Sequence, residues 1–318
     1  MVNSRKREEK MWSDVVSRLL LNTVSHPIEY AKVLIQIGHE PILPRETRTL
    51  ILRKPALSLP NIFQYVRYIK ACDGFTGCYR GLVPKICAYT INGVVMDKIS
   101  DSYLFTEVFP QIQDDDEHIE ELPDEKRKAA YIREFLKDAI CKVAGIVACH
   151  PLDVIAIRMM AQFVGGEDKY KSVFSSIIEV YRENGLMGYY SGLVPRLIAN
   201  VSTIALVSYS TYLINKYLVH DRESMSYVSA LMTLLSTTVT YPFLVVYNCM
   251  AITNSGLAAG EPPHMPIYSS WVDCWKHLSM TNQLKRGSSL LWRYYTGPTA
   301  VINGKLVMLN KTHYYTLD

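Results

Sequence analysis

The sequence lacks three features that often decide a protein's class: CxxC cysteine pairs, an apolar leader and a basic patch interleaved with aromatic residues. Its seven cysteines are odd in number and lie mostly in apolar segments, which argues against a secreted disulfide framework and against structural zinc. The start, MVNSRKREEK, is hydrophilic and contains Glu8 and Glu9, so we expect no signal or transit peptide and an internal targeting signal. Without a basic patch, no nucleic-acid partner is expected.

Catalytic patterns are missing as well. There is no Ser/His/Asp or Cys/His constellation, no phosphate-binding glycine loop and no metal motif, so we expect no enzyme, no catalytic residue and no cofactor. His26 and His150 each precede a proline. For these two histidines a helix-capping or kink role is favoured over metal binding, because no third ligand is evident.

Charged residues are absent from two long stretches, 197–215 and 224–260, although they make up 20% of the chain. A spanning helix needs about 20 mostly apolar residues, so both stretches qualify. Segments 19–28 and 86–96 are weaker candidates, since charges flank them, and they suit helices that face one another or a wet cavity. The pattern predicts an integral, multi-pass membrane protein.

An internal repeat is visible in three landmarks that recur in the same order. GLVPK at 81–85 recurs as GLVPR at 192–196, and each copy follows a glycine-containing approach. Further upstream, HPIE at 26–29 matches HPLD at 150–153. Proline inside a helix removes a hydrogen bond and kinks it, and the glycines permit a tight turn, so each unit reads as a helix, a short amphipathic helix and a second helix.

A third copy is fainter. It keeps Pro242, and Gly287 followed by four residues, Trp292 and Arg293 is aligned with the run that begins at Gly74. The chain is therefore divided, within a single domain 1–318, into repeat 1 (11–110), an acidic linker (111–128), repeat 2 (129–220) and a degenerate repeat 3 (224–318).

These elements together resemble the signature of mitochondrial carriers. The residues in its positions are Pro27, Glu29, Lys32, Asp73, Gly74, Tyr79, Arg80, Gly81, Pro151, Asp153, Gly185, Tyr190, Gly192, Pro242 and Gly287. The runs at 32–41 and 262–275 and the charge-free fifth helix resemble, more narrowly, the mitochondrial carrier homolog proteins. The resemblance implies an all-α membrane protein with a threefold helical repeat, located in the mitochondrial outer membrane. It also implies tail-anchored or other helical membrane proteins, apoptosis regulators and lipids as partners.

The charges of the carrier gate are mostly lost. The acidic positions of the signature, here called acid slots, hold Glu29, Asp153 and Leu244. Its basic positions, here called base slots, hold Lys32, Ala156 and Tyr247. With one base left we expect at most one ion pair, unless Arg158, two residues beyond its slot, substitutes. After Pro298 the apolar part, 306–309, is far shorter than a bilayer span. We therefore predict five spanning helices, no full sixth helix, and an open side between the first and the fifth.

An open bundle would present its polar lining to lipid as a groove. The residues assigned to it are Asn22, Ser25, His26, Glu29, Lys32, Asn92, Lys142, His150, Asp153, Arg158, Thr233, Ser236, Thr237 and Thr240. Such a groove lowers the barrier for a polar flank to cross while an apolar helix moves sideways into lipid, which is the logic of an insertase. Glu29 and Lys32 are either a structural pair or groove contacts, and the fifth-helix hydroxyls either line the groove or bond their own backbone.

Two other functions stay open at this point: a solute exchanger with degenerate gates, and a passive scaffold that binds partners through its loops. The acidic run at 114–125 is most simply a solvated linker, with attraction of basic client flanks as the alternative. The proline-containing segment 39–60 lengthens the first loop, and we expect it at the surface in contact with partners.

Overall fold

Helices dominate the computed structural model, which describes residues 2–49, 53–102, 124–218, 222–297, 299–302 and 305–308. The first repeat contains α1 (Val2–Gln36), α2 (Ile62–Gly77) and α3 (Leu82–Ser100), and the second contains α4 (Asp124–Ala161), α5 (Val173–Asn184) and α6 (Leu193–Tyr217). The third contains α7 (Arg222–Ile252) and α8 (Trp271–Met280). Short 3₁₀ turns lie at Leu186–Tyr190 and Ala258–Gly260. The predicted all-α fold is confirmed, and the first two repeats have the long–short–long order of helices.

The three short helices begin with the same kind of cap. Asn61, Ser172 and Ser270 each accept a hydrogen bond from the backbone N–H three residues further on. In α2 and α5 the third residue returns a side-chain bond, which completes a capping box. A capping side chain satisfies an N–H that has no partner inside the helix, so each short helix has its own start signal in the sequence.

Three helices are long and apolar enough to cross a membrane by length and composition, among the residues that the structure describes. They are Lys128–Ala161, Leu186–Tyr217 with its leading 3₁₀ turn, and Tyr227–Ile252. The sequence predicted five. α1 and α3 fall short of that criterion because charged residues interrupt them, so their spanning stays a prediction.

The sixth long helix is missing from the described part of repeat 3. Residues 281–297, 299–302 and 305–308 contain strands: β3 (Arg293–Tyr294), β4 (Thr299–Ile302) and β5 (Lys305–Met308). β4 and β5 pair as an antiparallel hairpin, from Thr299 opposite Met308 to Ile302 opposite Lys305. The expected absence of a full sixth helix is confirmed for these residues.

The long first loop is not a free surface loop. It contains β1 (Arg45–Arg48) and β2 (Pro55–Leu59), and β3 of the third repeat adds to β2, giving an antiparallel sheet in the order β1-β2-β3. Arg293 fixes this junction by donating to the carbonyl of Pro60 at 2.9 Å and by an ion pair with Glu40. β2 is therefore occupied by the chain's own third repeat, and contact of this loop with partners stays a prediction. β1 remains an exposed edge.

The buried core lies at one end of the helix bundle. It joins the C-terminal halves of α1, α4 and α7 to the short helices, through residues such as Leu34, Ile35, Ile69, Ile155, Met160, Val245, Val246, Ile252 and Leu278. Along the bundle, the closest helix pairs are α3 with α4 and α6 with α7, so the last helix of one repeat packs on the first helix of the next.

The acidic linker falls largely outside the described residues, which omit 103–123. α4 begins at Asp124, so the last five residues assigned to the linker, 124–128, are helical.

Candidate functional site

Each long first helix of a repeat contains a proline, and the residue before it makes the same contact in all three repeats. His26 Nε2 donates to the carbonyl of Arg80 at 2.9 Å, and His150 Nε2 donates to that of Ser191 at 3.1 Å. In the third repeat the Tyr241 hydroxyl donates to the carbonyl of Arg286 at 3.0 Å. The side chain before the proline thus ties the helix kink to the turn that follows the short helix.

This contact corrects the alignment of the third repeat. The accepting carbonyls belong to the residues before Gly81, Gly192 and Gly287, whose φ angles are +78°, +77° and +75°. Gly287 therefore corresponds to Gly81 and Gly192, and not to Gly74 as the sequence alignment had it. The sequence pattern misled because a glycine, a four-residue gap, an aromatic residue and a base recur by chance around Gly287.

Gly81 and Gly192 are needed for close approach as well as for their left-handed backbone. A Cβ on Gly81 would lie 2.7 Å from the carbonyl oxygen of Ala156, and one on Gly192 would lie 2.8 Å from that of Tyr247. Ala156 and Tyr247 occupy the base slots of the next repeat. The glycines therefore seat each repeat on the kinked helix of its successor.

Two aromatic residues of the signature stack on the histidines. The Tyr79 ring lies 6.1 Å from the ring of His26 with planes 12° apart, and Tyr190 lies 6.2 Å from His150 with planes 10° apart. These partners, a carbonyl and a stacked ring, support the kink role of both histidines. No group of three His, Cys, Asp or Glu side chains in the described ranges is placed to hold a metal ion.

A chain of ion pairs crosses the kink level and joins four helices. Lys85 Nζ lies 2.7 Å from Glu29 and 3.9 Å from Asp153, and Arg196 Nη2 lies 2.5 Å from Asp153. We call these four residues the kink cluster. Asp153 is the most buried, with 8% of its side chain exposed, whereas Glu29 is 38% exposed. The cluster is neutral overall, so it places two acids in the bundle without leaving a charge unpaired.

The prediction of at most one ion pair is therefore wrong. The bases come not from the base slots of the signature but from the last residue of the repeated pentapeptide, Lys85 in GLVPK and Arg196 in GLVPR. The signal was present in the sequence, because that position is basic in both copies. It was missed because the acids were matched only with bases three residues further along the same helix.

The third repeat supplies aromatic rings that hold cations of the other two repeats. Arg196 lies over the ring of Tyr247, 5.2 Å from its centroid, and donates to Nδ1 of His150 at 3.0 Å. Lys32 lies over Tyr241 at 5.3 Å. Lys32 is thus neither a structural partner of Glu29 nor part of the kink cluster, and its ammonium is held by a cation–π contact.

Six residues assigned to the groove are buried: His26, His150, Asp153, Arg158, Ser236 and Thr240. Arg158 is fully buried; its Nε donates to the carbonyl of Ala251 at 3.0 Å and its Nη1 to the Tyr170 hydroxyl at 3.4 Å. It ties α4 to the end of α7, so it neither lines a surface nor replaces the lost base. Asn92 lies between α3 and α4 against Gly145. Lys142 is half-buried on α4.

The hydroxyls of α7 bond within the helix. Thr233, Thr237 and Thr240 donate to carbonyls three or four residues earlier, at 2.8–3.0 Å. Thr233 and Thr237 are exposed, whereas Ser236 and Thr240 are buried, and the Thr240 hydroxyl lies 2.7 Å from that of Thr203 on α6. Of the two interpretations left open, backbone bonding accounts for these hydroxyls, which makes them tolerable next to lipid.

α1 and α7 meet toward their C-terminal ends. The described side chains of their N-terminal halves are largely exposed. Gln36 donates to the Tyr241 hydroxyl at 2.8 Å and accepts from Asn248 at 2.6 Å. In the described side chains before His26, α1 has no buried residue, and its most exposed ones include Leu20, Leu21, Val24 and Ser25. α7 is likewise exposed at Leu231, Leu234, Leu235 and Val239. We call the region between these two exposed N-terminal halves the wedge; among the described residues it is closed at Gln36 and open toward the N-terminal ends.

Comparison with known proteins agrees with this architecture. The sequence model of the family described as Mitochondrial carrier protein matches residues 9–100 and 128–222, more than half of the chain. Human Mitochondrial carrier homolog 2 is 36% identical over 296 residues, which cover 88% of this chain and 94% of that protein. The chain belongs to the mitochondrial carrier homolog family.

Two further relatives lie inside and outside the carrier homolog family. Mouse Mitochondrial carrier homolog 1 is also 36% identical over 296 residues, covering 86% of this chain and 74% of that protein. The mitochondrial thiamine pyrophosphate carrier of Macaca fascicularis is 28% identical over 211 residues, covering 64% and 56%. The protein is thus a mitochondrial carrier-type membrane protein, with a kink cluster built by the first two repeats and a wedge beside the third.

Proposed function

We propose that this carrier homolog is an insertase and docking protein of the mitochondrial outer membrane for helical membrane proteins, especially tail-anchored ones. The observation that carries the proposal is the wedge between α1 and α7. In the described part of repeat 3 no sixth long helix covers it, and its walls above Gln36 are exposed apolar side chains. A single client helix packs against such walls as it would against a neighbouring transmembrane helix.

The floor of the wedge supplies what a polar tail needs. A charged group at the bilayer centre costs about 2.5–3.5 kcal/mol on insertion scales, so a polar tail crosses more easily where the protein offers it polar partners and water. Glu29 is 38% exposed at the edge of the kink cluster, and Lys32 lies over Tyr241 at the base of the wedge. The tail passes these groups while the apolar helix moves sideways between α1 and α7. No covalent step is involved.

The family resemblance extends the proposal in two directions. Single-helix apoptosis regulators would dock in the same wedge, and lipid headgroups would pass through it between the two leaflets. Both uses depend on the same wedge, so the same substitutions should affect both.

The test is insertion by the pure full-length protein in liposomes. A chaperone-held tail-anchored substrate is added, and protease protection of its tail is compared with that in empty liposomes. Lys32→Leu should slow insertion about fivefold, corresponding to about 1 kcal/mol on the barrier. Lys70→Leu is the matched control, because Lys70 makes a similar cation–π contact, 5.8 Å from the Phe75 ring, on the short helix α2.

Protection no greater than in empty liposomes, with the protein folded and correctly oriented, would refute insertion. Equal rates for the Lys32 and Lys70 variants would leave insertion standing and remove the wedge as its route.

Solute exchange is the second candidate, because two repeats keep a charged kink cluster and the family model describes carriers. The third repeat argues against it, since Leu244 and Tyr247 leave no charges to complete a threefold gate. Saturable uptake of a solute by liposomes that contain the pure protein would establish exchange. A passive scaffold would instead bind clients without protecting their tails.

A further inference from the structure

A separate apolar cleft lies between the beginning of α4 and the end of α6. Its volume is about 360 Å³, within the range of about 300–1,000 Å³ usual for ligand pockets. Each helix contributes four lining residues at helical spacing, over two turns: Lys128, Tyr131, Ile132 and Phe135 from α4, and Ala205, Ser208, Tyr209 and Tyr212 from α6. The walls are almost entirely hydrocarbon.

One end of the cleft is polar. Lys128 lies there, and no described carboxylate forms an ion pair with it. The Tyr212 ring meets the Tyr131 ring edge to face, with centroids 5.4 Å apart. The Tyr212 hydroxyl is buried and has no hydrogen-bond partner among the described residues. A buried hydroxyl without a partner is costly, so an acceptor that reaches it from the cleft, beside the exposed Lys128 cation, would be stabilised.

The position of the cleft fits the membrane surface. The first turns of α4 carry charged residues, and its apolar stretch begins after Lys142. α6 ends at Lys216 and Tyr217, after a charge-free run. Lysine and tyrosine are enriched at the level of lipid headgroups, where the aromatic body lies in hydrocarbon and the polar tip in water. Ile132 and Tyr209 are more than half exposed, so the cleft opens outward to lipid.

The size of the cleft excludes a second helix. Its eight-residue span along α4 is about 10 Å long, and a helix with side chains is about 10–12 Å across, which is more than this volume holds. A single hydrocarbon chain fits a narrow outward-facing cleft. The cation at the rim selects a chain that carries an anionic head.

We propose that this cleft is a binding site for one anionic membrane phospholipid, with an acyl chain between α4 and α6 and its phosphate at Lys128 and the Tyr212 hydroxyl. The site uses other helices than the wedge and does not depend on insertase activity. Its role is to bridge α4 and α6 at the membrane surface.

Photo-labelling of the full chain in nanodiscs tests the site. The discs contain phosphatidylcholine with a small fraction of either phosphatidic acid or phosphatidylcholine that carries a photoactivatable acyl chain. The phosphatidic acid probe should label residues within 128–135 and 205–212 more strongly than the choline probe does. Ala205→Trp should abolish this labelling by filling the cleft. Lys128→Gln should lower labelling by the anionic probe about fivefold and leave the choline probe unchanged.

Lys128→Gln keeps the test decisive if Ala205→Trp does not fold, because Lys128 lies at the rim. Equal labelling by the two probes, or labelling that Lys128→Gln does not change, would overturn the proposal. Full displacement of the anionic probe by a free fatty acid, or cross-linking of a client peptide to the cleft in place of lipid, would also overturn it.

Discussion

The two sides of α7 are packed very differently. On one side α7 lies along α6, with Thr240 beside Thr203 and the Tyr247 backbone against Gly192. On the other side it meets α1 through Gln36, at the closed end, and its N-terminal half is exposed. The difference follows from the order of the repeats. α3 packs on α4 and α6 on α7, so the helix that would pack on α1 is the one that the described part of repeat 3 does not contain.

The stability of the packed helices should depend most on the kink cluster. In Arg196→Leu the buried Asp153 carboxylate loses its closest partner, and removal of one member of a buried pair costs about 3–5 kcal/mol. Lys85→Leu should cost less, because Glu29 is 38% exposed and water can solvate it. The free energy of unfolding in bicelles gives the order. Equal losses would show that burial does not govern the cluster.

Acidification should lower the stability of the fold near His39, at the closed end of the wedge. His39 follows α1, and its ring meets the Phe163 ring at 6.0 Å. Burial, with a smaller contribution from His264, lowers the pKa of His39 from 6.5 to about 4. The unfolded chain then binds the extra proton between these values, so stability should fall from pH 6.5 to pH 4, by up to about 3 kcal/mol. Unfolding at several pH values measures this, and His39→Gln should flatten the dependence.

The contact between successive repeats should depend on glycine at position 81 and not on glycine at position 93. Gly81→Ala should cost about 2 kcal/mol, because alanine is strained at φ +78° and its Cβ would meet the Ala156 carbonyl at 2.7 Å. Gly93→Ala is the matched control inside α3, where a Cβ meets nothing within 4 Å. It should be neutral or stabilising by up to about 1 kcal/mol. Thermal unfolding separates them, and similar melting temperatures would refute the close approach.

The join at the open side should be the weakest. Gln36→Leu removes the bonds to Tyr241 and Asn248 and should cost about 1 kcal/mol. The loss should appear as about fivefold faster hydrogen exchange in α1, with α6 unchanged. Asn200→Leu is the control, because that amide donates within its own helix to Arg196. Faster exchange in α6 as well as α1 would mean that the two sides of α7 are not independent.

Local features were predictable because they depend on neighbours in the chain. Each of these features depends on a short stretch of sequence: the charge-free runs, the prolines at 27, 151 and 242, and the capped short helices. The alignment of Gly287 was not predictable in this way. Its correspondence to Gly81 depends on a bond from Tyr241 to the Arg286 carbonyl, 45 positions along the chain.

The sequence by itself determined the helical repeat, the kinks and, within the described part of repeat 3, the absence of a full sixth helix, since apolar length, proline and glycine act on the local backbone. Only the tertiary structure decided which charges meet. Lys85 is 56 and 68 positions from its two acids, and a partner that far away is chosen by how helices cross, which depends on packing. The wedge between α1 and α7 is likewise a tertiary feature, because it depends on which helices lie beside each other in space.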